Sequence, residues 1–422
     1  MGGRNDSRKI QKEEKKMNYK VLFIPGNVYH VRMFSKVAKK LKGDVLAISL
    51  EGYGEKGRAG IERALQENGI RFKRVQDYRK EDPEFILREE KPDVVVVLND
   101  IDPGCLYFVR GANRLGIPTL LIAEGIVVDT PHRSLGPSYF INIIKNVLFS
   151  GNIAHSIKLL VRRTFSILSG NPEPGYDRYG AECMKIAVWG EYSKKFFESR
   201  GIPSEKIVIT GNPLMDDIFR LKPKADKIKK QLGLPAGAKL IVYASCNPID
   251  IQYWTEEETA HLVRLLNKIV LNMKNCFLLI RPHPTEPNER YLRFLQGEDT
   301  SKTFVSKKEN LYDLLASCNV LITDASVVGS EAAVIGKPVI IVNLTGKPYP
   351  IKYYPKLLID EGVAVEVRRK GELLPTIERL LNKKSQNELM KNREKFVRKY
   401  FYRIDGKSSE RVAELIEKMV KK

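Results

Sequence analysis

Short apolar runs, each closed by a polar turn and followed by a helix-length stretch, recur along the whole chain and constrain its fold more than any other feature. They read "KVLFIPG", "DVLAISL", "DVVVVLND", "PTLLIAEG", "KIAVWG" and "IVITGNP" in the first half. "KLIVYASCNP", "CFLLIRPHP", "NVLITDAS", "PVIIVNL" and "GVAVEV" follow in the second. The runs do not alternate polar with apolar, so both faces of each strand are expected to be buried, which is the pattern of parallel sheets covered by helices. A chain of 422 residues exceeds what one hydrophobic core serves. The expectation is therefore α/β, with two doubly wound Rossmann-like domains and a cleft. "FRLKPKADKIKKQLGLPAGAK", Phe219 to Lys239, is rich in Lys, Pro and Gly and has no long apolar run, so it reads as the boundary. The expected division is a disordered tail at 1–17, a first domain at 18–220, a linker at 221–238, a second domain at 239–385 and charged helices at 386–422.

Charge narrows the partners. The excess of 72 Lys+Arg over 51 Asp+Glu, net +21, favours a polyanion, whether nucleic acid, anionic lipid or a phosphorylated small molecule. The five cysteines, Cys105, Cys183, Cys246, Cys276 and Cys318, are scattered and never spaced C-x-x-C, which argues against a zinc ribbon or disulfide framework and fits a reducing cytoplasm. The N-terminal "MGGRNDSRKIQKEEKKMNYK" lacks an apolar core, so it reads as neither signal peptide nor anchor, and no run of 18 apolar residues follows. Residues 130–172 contain no Asp or Glu, while Arg133, Lys145, Lys158, Arg162 and Arg163 sit among broad apolar faces. That composition predicts a helical insertion lying on an anionic membrane surface; the competing reading is a core-packed insertion with a basic outer face.

Candidate site residues lie where strands end. In a doubly wound sheet, ligands bind outside the carboxyl ends of the strands, where helix N-termini offer free backbone N–H groups. In "VLITDASVVGSEAAVIGKPVI" (Val320 to Ile340), Ser326 is placed to cap a helix or bond a phosphate oxygen, with Gly329 and Ser330 permitting close approach and Glu331 one turn further on. Glu331 would accept bonds from a ribose diol; the plainer reading leaves it facing water. "LLIRPHPTE" sets Arg281 and His283 on a turn stiffened by Pro282 and Pro284, two donors suited to a pyrophosphate whose charge grows as it departs. No phosphate-binding G-x-x-x-x-G-K-[ST] loop is present, and no convincing metal cluster; Asp100 and Asp102 of "NDID" read as helix caps before they read as cation ligands.

In the first half, Glu124 of "TLLIAEG" sits at a strand end, where partial desolvation raises a carboxylate's affinity for protons and suits a general base. The alternative is a cap or a partner for Arg133. "PGNVYHVRMF" contributes Gly26, Asn27, His30 and Arg32 to a loop that opens a helix, with His30 as the rival base.

The paired "RPHP" and "TDASVVGSEAAVIGKPVI", with "ITGNP" before the linker and "DGKSSERV" (Asp405 to Val412) near the end, resemble the GT-B transferases of surface-polymer synthesis. The chain is similar to CDP-glycerol glycerophosphotransferases, to capsule Kdo-transferase-like proteins and to hydrolysing UDP-N-acetylglucosamine 2-epimerases. The resemblance implies a GT-B fold with a C-terminal helix crossing back. It implies that His283, Ser326 and Ser330 meet donor phosphates and that Glu331 meets the ribose; Arg281, Gly26 and Asn212 are further donor-site candidates from their places after strands. The expected donor is a nucleotide-sugar or CDP-alditol and the expected acceptor lipid-linked or polymeric, with no nucleic acid and no cofactor; no metal is expected, because the helix dipole, Arg281 and His283 can stabilise the leaving phosphate. The expected place is the cytoplasm, peripheral at the inner face of the membrane. The chain departs from the glycerophosphotransferases in having "IAEGI" where they carry Trp-His-Gly, which puts Glu124 in the catalytic position. It departs from the epimerases in having "YASCNPID" where they carry a His-Arg-rich turn. The expected function is transfer of a sugar or alditol phosphate to an acceptor hydroxyl; the alternatives are a hydrolysing 2-epimerase and a noncatalytic nucleotide-sugar-binding protein.

Overall fold

The computed structural model describes residues 18–51, 60–126, 179–220, 227–349 and 354–421. The expected tail at 1–17 and basic insertion at 130–172 lie outside them. The chain divides into two compact units: Met1–Leu214 with Lys407–Lys422, and Met215–Gly406.

The first unit is built on β1 (Lys20–Ile24), β2 (Asp44–Ser49), β3 (Arg71–Arg74), β4 (Val94–Val97), β5 (Thr119–Ile122), β6 (Lys185–Val188) and β7 (Ile207–Ile209). They pair in parallel in the order β3-β2-β1-β4-β5-β6-β7. The four valines of β4 are buried on both faces, as a central strand under helices on either side requires. Leu22, Ile24, Val95, Val97, Leu121, Phe108 and Phe197 share one core. Strand order reverses between β1 and β4, so the carboxyl ends of β1, β4 and β5 meet at the topological switch point.

The helix Ser408–Val420 packs into this same unit. The Arg411 guanidinium donates to the Thr210 carbonyl (2.7 Å), and the Tyr19 hydroxyl donates to Glu417 (3.0 Å). Gly211 turns the chain here with φ +84, and a Cβ on it would lie 2.5 Å from the Ser408 hydroxyl. "ITGNP" and "DGKSSERV" are thus two halves of one contact.

The second unit repeats the plan with β8 (Lys239–Ala244), β9 (Cys276–Arg281), β10 (Thr303–Val305), β11 (Val320–Thr323), β12 (Val339–Val342) and β13 (Val365–Val367), all parallel in the order β10-β9-β8-β11-β12-β13. Its switch point falls between β8 and β11. Gly329, in the helix Val328–Ile335, lets that helix sit against β11: a Cβ there would be 3.0 Å from Leu358 and 3.5 Å from Thr323.

The expected α/β class with two doubly wound sheets is what the chain forms. Within the segment read as linker, Lys227–Gln231 is a short helix whose Ile228 is buried. The C-terminal region divides, with the helix Asn387–Phe401 in the second unit and Ser408–Val420 in the first. Among the described residues no helix is long and apolar enough to cross a membrane.

Candidate active site and donor site

In the first unit, Asn27 follows β1 and caps the helix Val28–Ala38, its side chain accepting the His30 N–H (3.1 Å). That cap fixes the first turn and folds the His30 ring back beneath the loop, where it is only 1% exposed. His30 Nδ1 accepts the Gly26 backbone N–H (3.0 Å), so that nitrogen carries no proton. The ring hydrogen is therefore on Nε2, which donates to Glu124 Oε2 at 2.6 Å. The Asn27 amide nitrogen lies 3.0 Å from the same Nε2, and the shorter carboxylate contact decides the tautomer. The other Glu124 oxygen accepts from Asn99 at the end of β4 (3.0 Å), while the Glu124 N–H donates to the Tyr179 hydroxyl (3.3 Å).

Glu124 keeps 29% of its side chain exposed. It is a carboxylate held from two sides with one edge open, an arrangement able to take a proton from an arriving hydroxyl. His30 is corrected: buried, with one nitrogen accepting and the other donating, it has no lone pair to offer a substrate and instead positions Glu124. Gly26 spends its N–H on that ring.

The neighbouring carboxylates are structural. Asp102 caps the helix Pro103–Arg114 through Cys105 N–H (3.1 Å). Asp100 is buried and takes Gly180 N–H on both oxygens (2.9 and 3.0 Å); burial pushes its carboxyl up to about 6, against the pull of those bonds. Among the described residues no cluster of three or more His, Cys, Asp or Glu is placed to hold a metal. Asn212, read as a donor-site residue, lies in this unit, buried, with its side-chain oxygen accepting Leu214 N–H (2.9 Å). Its role there is to close the turn.

The second unit gathers the other five. Asp324 ends β11 fully buried, accepting from Tyr243 hydroxyl (3.1 Å), Cys246 N–H (2.9 Å) and Ala325 N–H (2.7 Å). Burial raises its proton affinity and these bonds oppose the rise. The carboxyl ties the β8 loop to the β11 loop, which orients the start of the helix Val328–Ile335. Ser326 accepts Val328 N–H weakly (3.4 Å) and stays partly exposed. Ser330 is 5% exposed and its hydroxyl has no partner. A buried hydroxyl without a partner is costly, and ligand sites are where such groups collect.

Glu331 accepts from Tyr312 (3.3 Å); burial pushes its carboxyl up to about 7, with Tyr312 and Arg281 acting against the rise. Arg281, at the end of β9, donates to the Glu309 carbonyl (2.9 Å), with Glu309 and Glu331 as its nearby carboxylates and burial lowering its proton affinity. With one guanidinium nitrogen spent on a backbone carbonyl, it is less a free phosphate clamp than the sequence implied. The turn carrying His283 is held by Glu286, fully buried, which accepts His283 N–H (2.9 Å) and Tyr291 hydroxyl (3.0 Å). His283 itself is partly exposed, its Nδ1 facing Thr285 Oγ1 at 2.8 Å.

Sequence reading missed Asn99, Tyr179, Asn247 and Thr285. Asn99 and Asn247 had a signal, each standing just past an apolar run; the rest act through contacts that no local pattern encodes.

Residues 181–418, more than half of the chain, match the family described as CDP-glycerol:poly(glycerophosphate) glycerophosphotransferase. Among curated proteins the chain is 27% identical over 184 residues to the teichoic acid glycerol-phosphate primase of Bacillus subtilis (strain 168), covering 42% of each. It is 26% identical over 260 residues to the teichoic acid poly(ribitol-phosphate) polymerase of Bacillus spizizenii, covering 59% of this chain and 39% of that protein. The matched stretch thus spans about two fifths of the length of either relative. Among solved structures, UDP-GlcNAc 2-epimerase from Neisseria meningitidis bound to UDP-GlcNAc superposes with TM-score 0.61 at 17% identity, covering 94% of this chain and 100% of that one. The wall teichoic acid polymerase TagF soaked with CDPG gives 0.56 at 16%, covering 96% and 89%. At those identities the structures speak for the GT-B-like fold alone.

Proposed function

The chain belongs to the CDP-glycerol:poly(glycerophosphate) glycerophosphotransferase family, and from that premise we propose that it transfers an alditol phosphate from a cytidine-diphosphate donor to a hydroxyl group in cell-wall polymer synthesis. Family membership over the part of the chain that carries Arg281, His283, Ser326, Ser330 and Glu331 is the observation that supports this reading most. In the reaction the acceptor oxygen bonds to the donor's terminal phosphorus, the bridging P–O bond breaks, CMP leaves with that electron pair, and the hydroxyl proton passes to a base.

Glu124 is our candidate base, its carboxylate oriented by His30 and Asn99. His283, Ser326 and the unpartnered Ser330 hydroxyl are our candidate phosphate donors, adding to the positive end of the helix Val328–Ile335. Glu331 is the candidate ribose acceptor. The acceptor is proposed to be lipid-linked or polymeric, at the inner membrane face; its support is the acid-free sequence of residues 130–172.

A thermal-shift comparison of CDP-glycerol, CDP-ribitol, UDP-N-acetylglucosamine and GDP- and dTDP-sugars tests the donor. A ligand at ~100 times its dissociation constant adds about 2.7 kcal/mol of stability. Stabilisation by the cytidine compounds is expected. Stabilisation by UDP-N-acetylglucosamine alone, with release of UDP and free sugar, would sink the proposal.

A further inference from the structure

Past β8 the chain turns at Asn247, whose backbone lies in the left-handed region (φ +65), a conformation asparagine tolerates better than most residues. Its side chain is buried and its amide nitrogen donates to Thr285 Oγ1 (3.0 Å). The amide oxygen is buried and takes no partner, so the nitrogen's bond to Thr285 is what holds the side chain.

Thr285 Oγ1, having accepted from Asn247, has its own hydrogen to give, and His283 Nδ1 stands 2.8 Å away. The Thr285 backbone N–H points at the same nitrogen (3.3 Å). Two donors converging on Nδ1 leave it unprotonated and put the ring hydrogen on Nε2, to which no described residue bonds. We propose that Asn247 and Thr285 form a positioning relay that fixes His283 as the neutral Nε2–H tautomer, presenting one outward N–H donor to a phosphate of the nucleotide donor. The phosphate half of this rests on the function proposed above; the tautomer does not.

The test uses the full chain labelled with 15N-histidine, whose five histidines give a tractable two-bond proton–nitrogen spectrum, with His283→Gln supplying the assignment. The wild type is expected to show His283 protonated at Nε2. Thr285→Val and Asn247→Asp are expected to give mixed tautomers and about tenfold weaker CDP-glycerol binding, and Thr285→Ser to restore both. Thr285 is exposed, so its variants probe the relay without opening the core. A wild-type His283 protonated at Nδ1, or a tautomer unchanged in Thr285→Val, would overturn the relay. Tautomers that shift as expected, with neither CMP nor CDP-glycerol bound by the wild type, would support the relay while refuting its phosphate role and the donor reading beneath it.

Discussion

Glu331→Gln separates the cost of a buried carboxyl from its use. In the folded chain burial carries this group from its ordinary 4.5 to about 7, with Tyr312 and Arg281 only partly offsetting the rise. The folded state therefore holds the proton more tightly than the unfolded chain, and between those pH values it binds more protons. Stability from this group is fully present below pH 4.5 and is lost as pH rises through about 7. The full swing corresponds to a ceiling of about 3 kcal/mol, and the partly exposed edge of the side chain lowers it to roughly 1–3 kcal/mol.

Gln keeps the bond from Tyr312 and removes the titration. Each unit holds one tryptophan, Trp189 in the first and Trp254 in the second. In a Trp189→Phe background, urea unfolding followed by Trp254 fluorescence reports on the second unit alone. Between pH 5 and pH 8 the parent should lose roughly 1–3 kcal/mol more than its Glu331→Gln counterpart. Taking the difference between the two proteins cancels Asp100 and Asp324, which also titrate upward. Identical pH slopes would refute the burial argument. If Glu331 also binds ribose, CDP-glycerol binding by the parent should tighten as pH rises through about 7, and the Gln variant should bind weakly at every pH.

Other perturbations divide fold from function. Ser330→Ala removes a buried hydroxyl without a partner, so thermal stability should stay within about 0.5 kcal/mol while calorimetry shows nucleotide affinity falling roughly tenfold. Gly211→Ala places a methyl group against Ser408 in a left-handed turn; a loss of at least about 1–2 kcal/mol is expected, with limited proteolysis releasing the helix Ser408–Val420 first. Changing Lys158, Arg162 and Arg163 together to Glu should abolish co-sedimentation with anionic liposomes at moderate salt, each charge being worth about 1 kcal/mol there. Equal sedimentation of the variant would mean the segment does not hold the membrane.

The central strands were legible because burial on both faces demands unbroken apolar runs, and every run quoted from the sequence is a strand. The two strands missed are edges. β3 is Arg-Phe-Lys-Arg and largely exposed, the charged form edge strands take to avoid pairing with other chains, and β10 has only three residues. Gly26, His30 and Glu124 were singled out, yet their bonding was not, because His30 and Glu124 stand 94 positions apart and only sheet order joins them. Glu286, three residues past His283, braces that turn from the core, a role that burial and not local sequence reveals. The relay through Asn247 and Thr285 crosses from the β8 loop to the β9 loop, so no window of sequence contains it.

The most direct measurement is the fate of the donor's phosphorus. The protein, incubated with CDP-glycerol and a polyol-phosphate acceptor, should release CMP in step with a new phosphodiester resonance in the phosphorus NMR spectrum. Glu124→Gln should slow both at least about a hundredfold, the scale of a general base, while donor binding is kept. CMP release at the same rate without acceptor, or a Glu124→Gln variant with full transfer activity, would contradict the account.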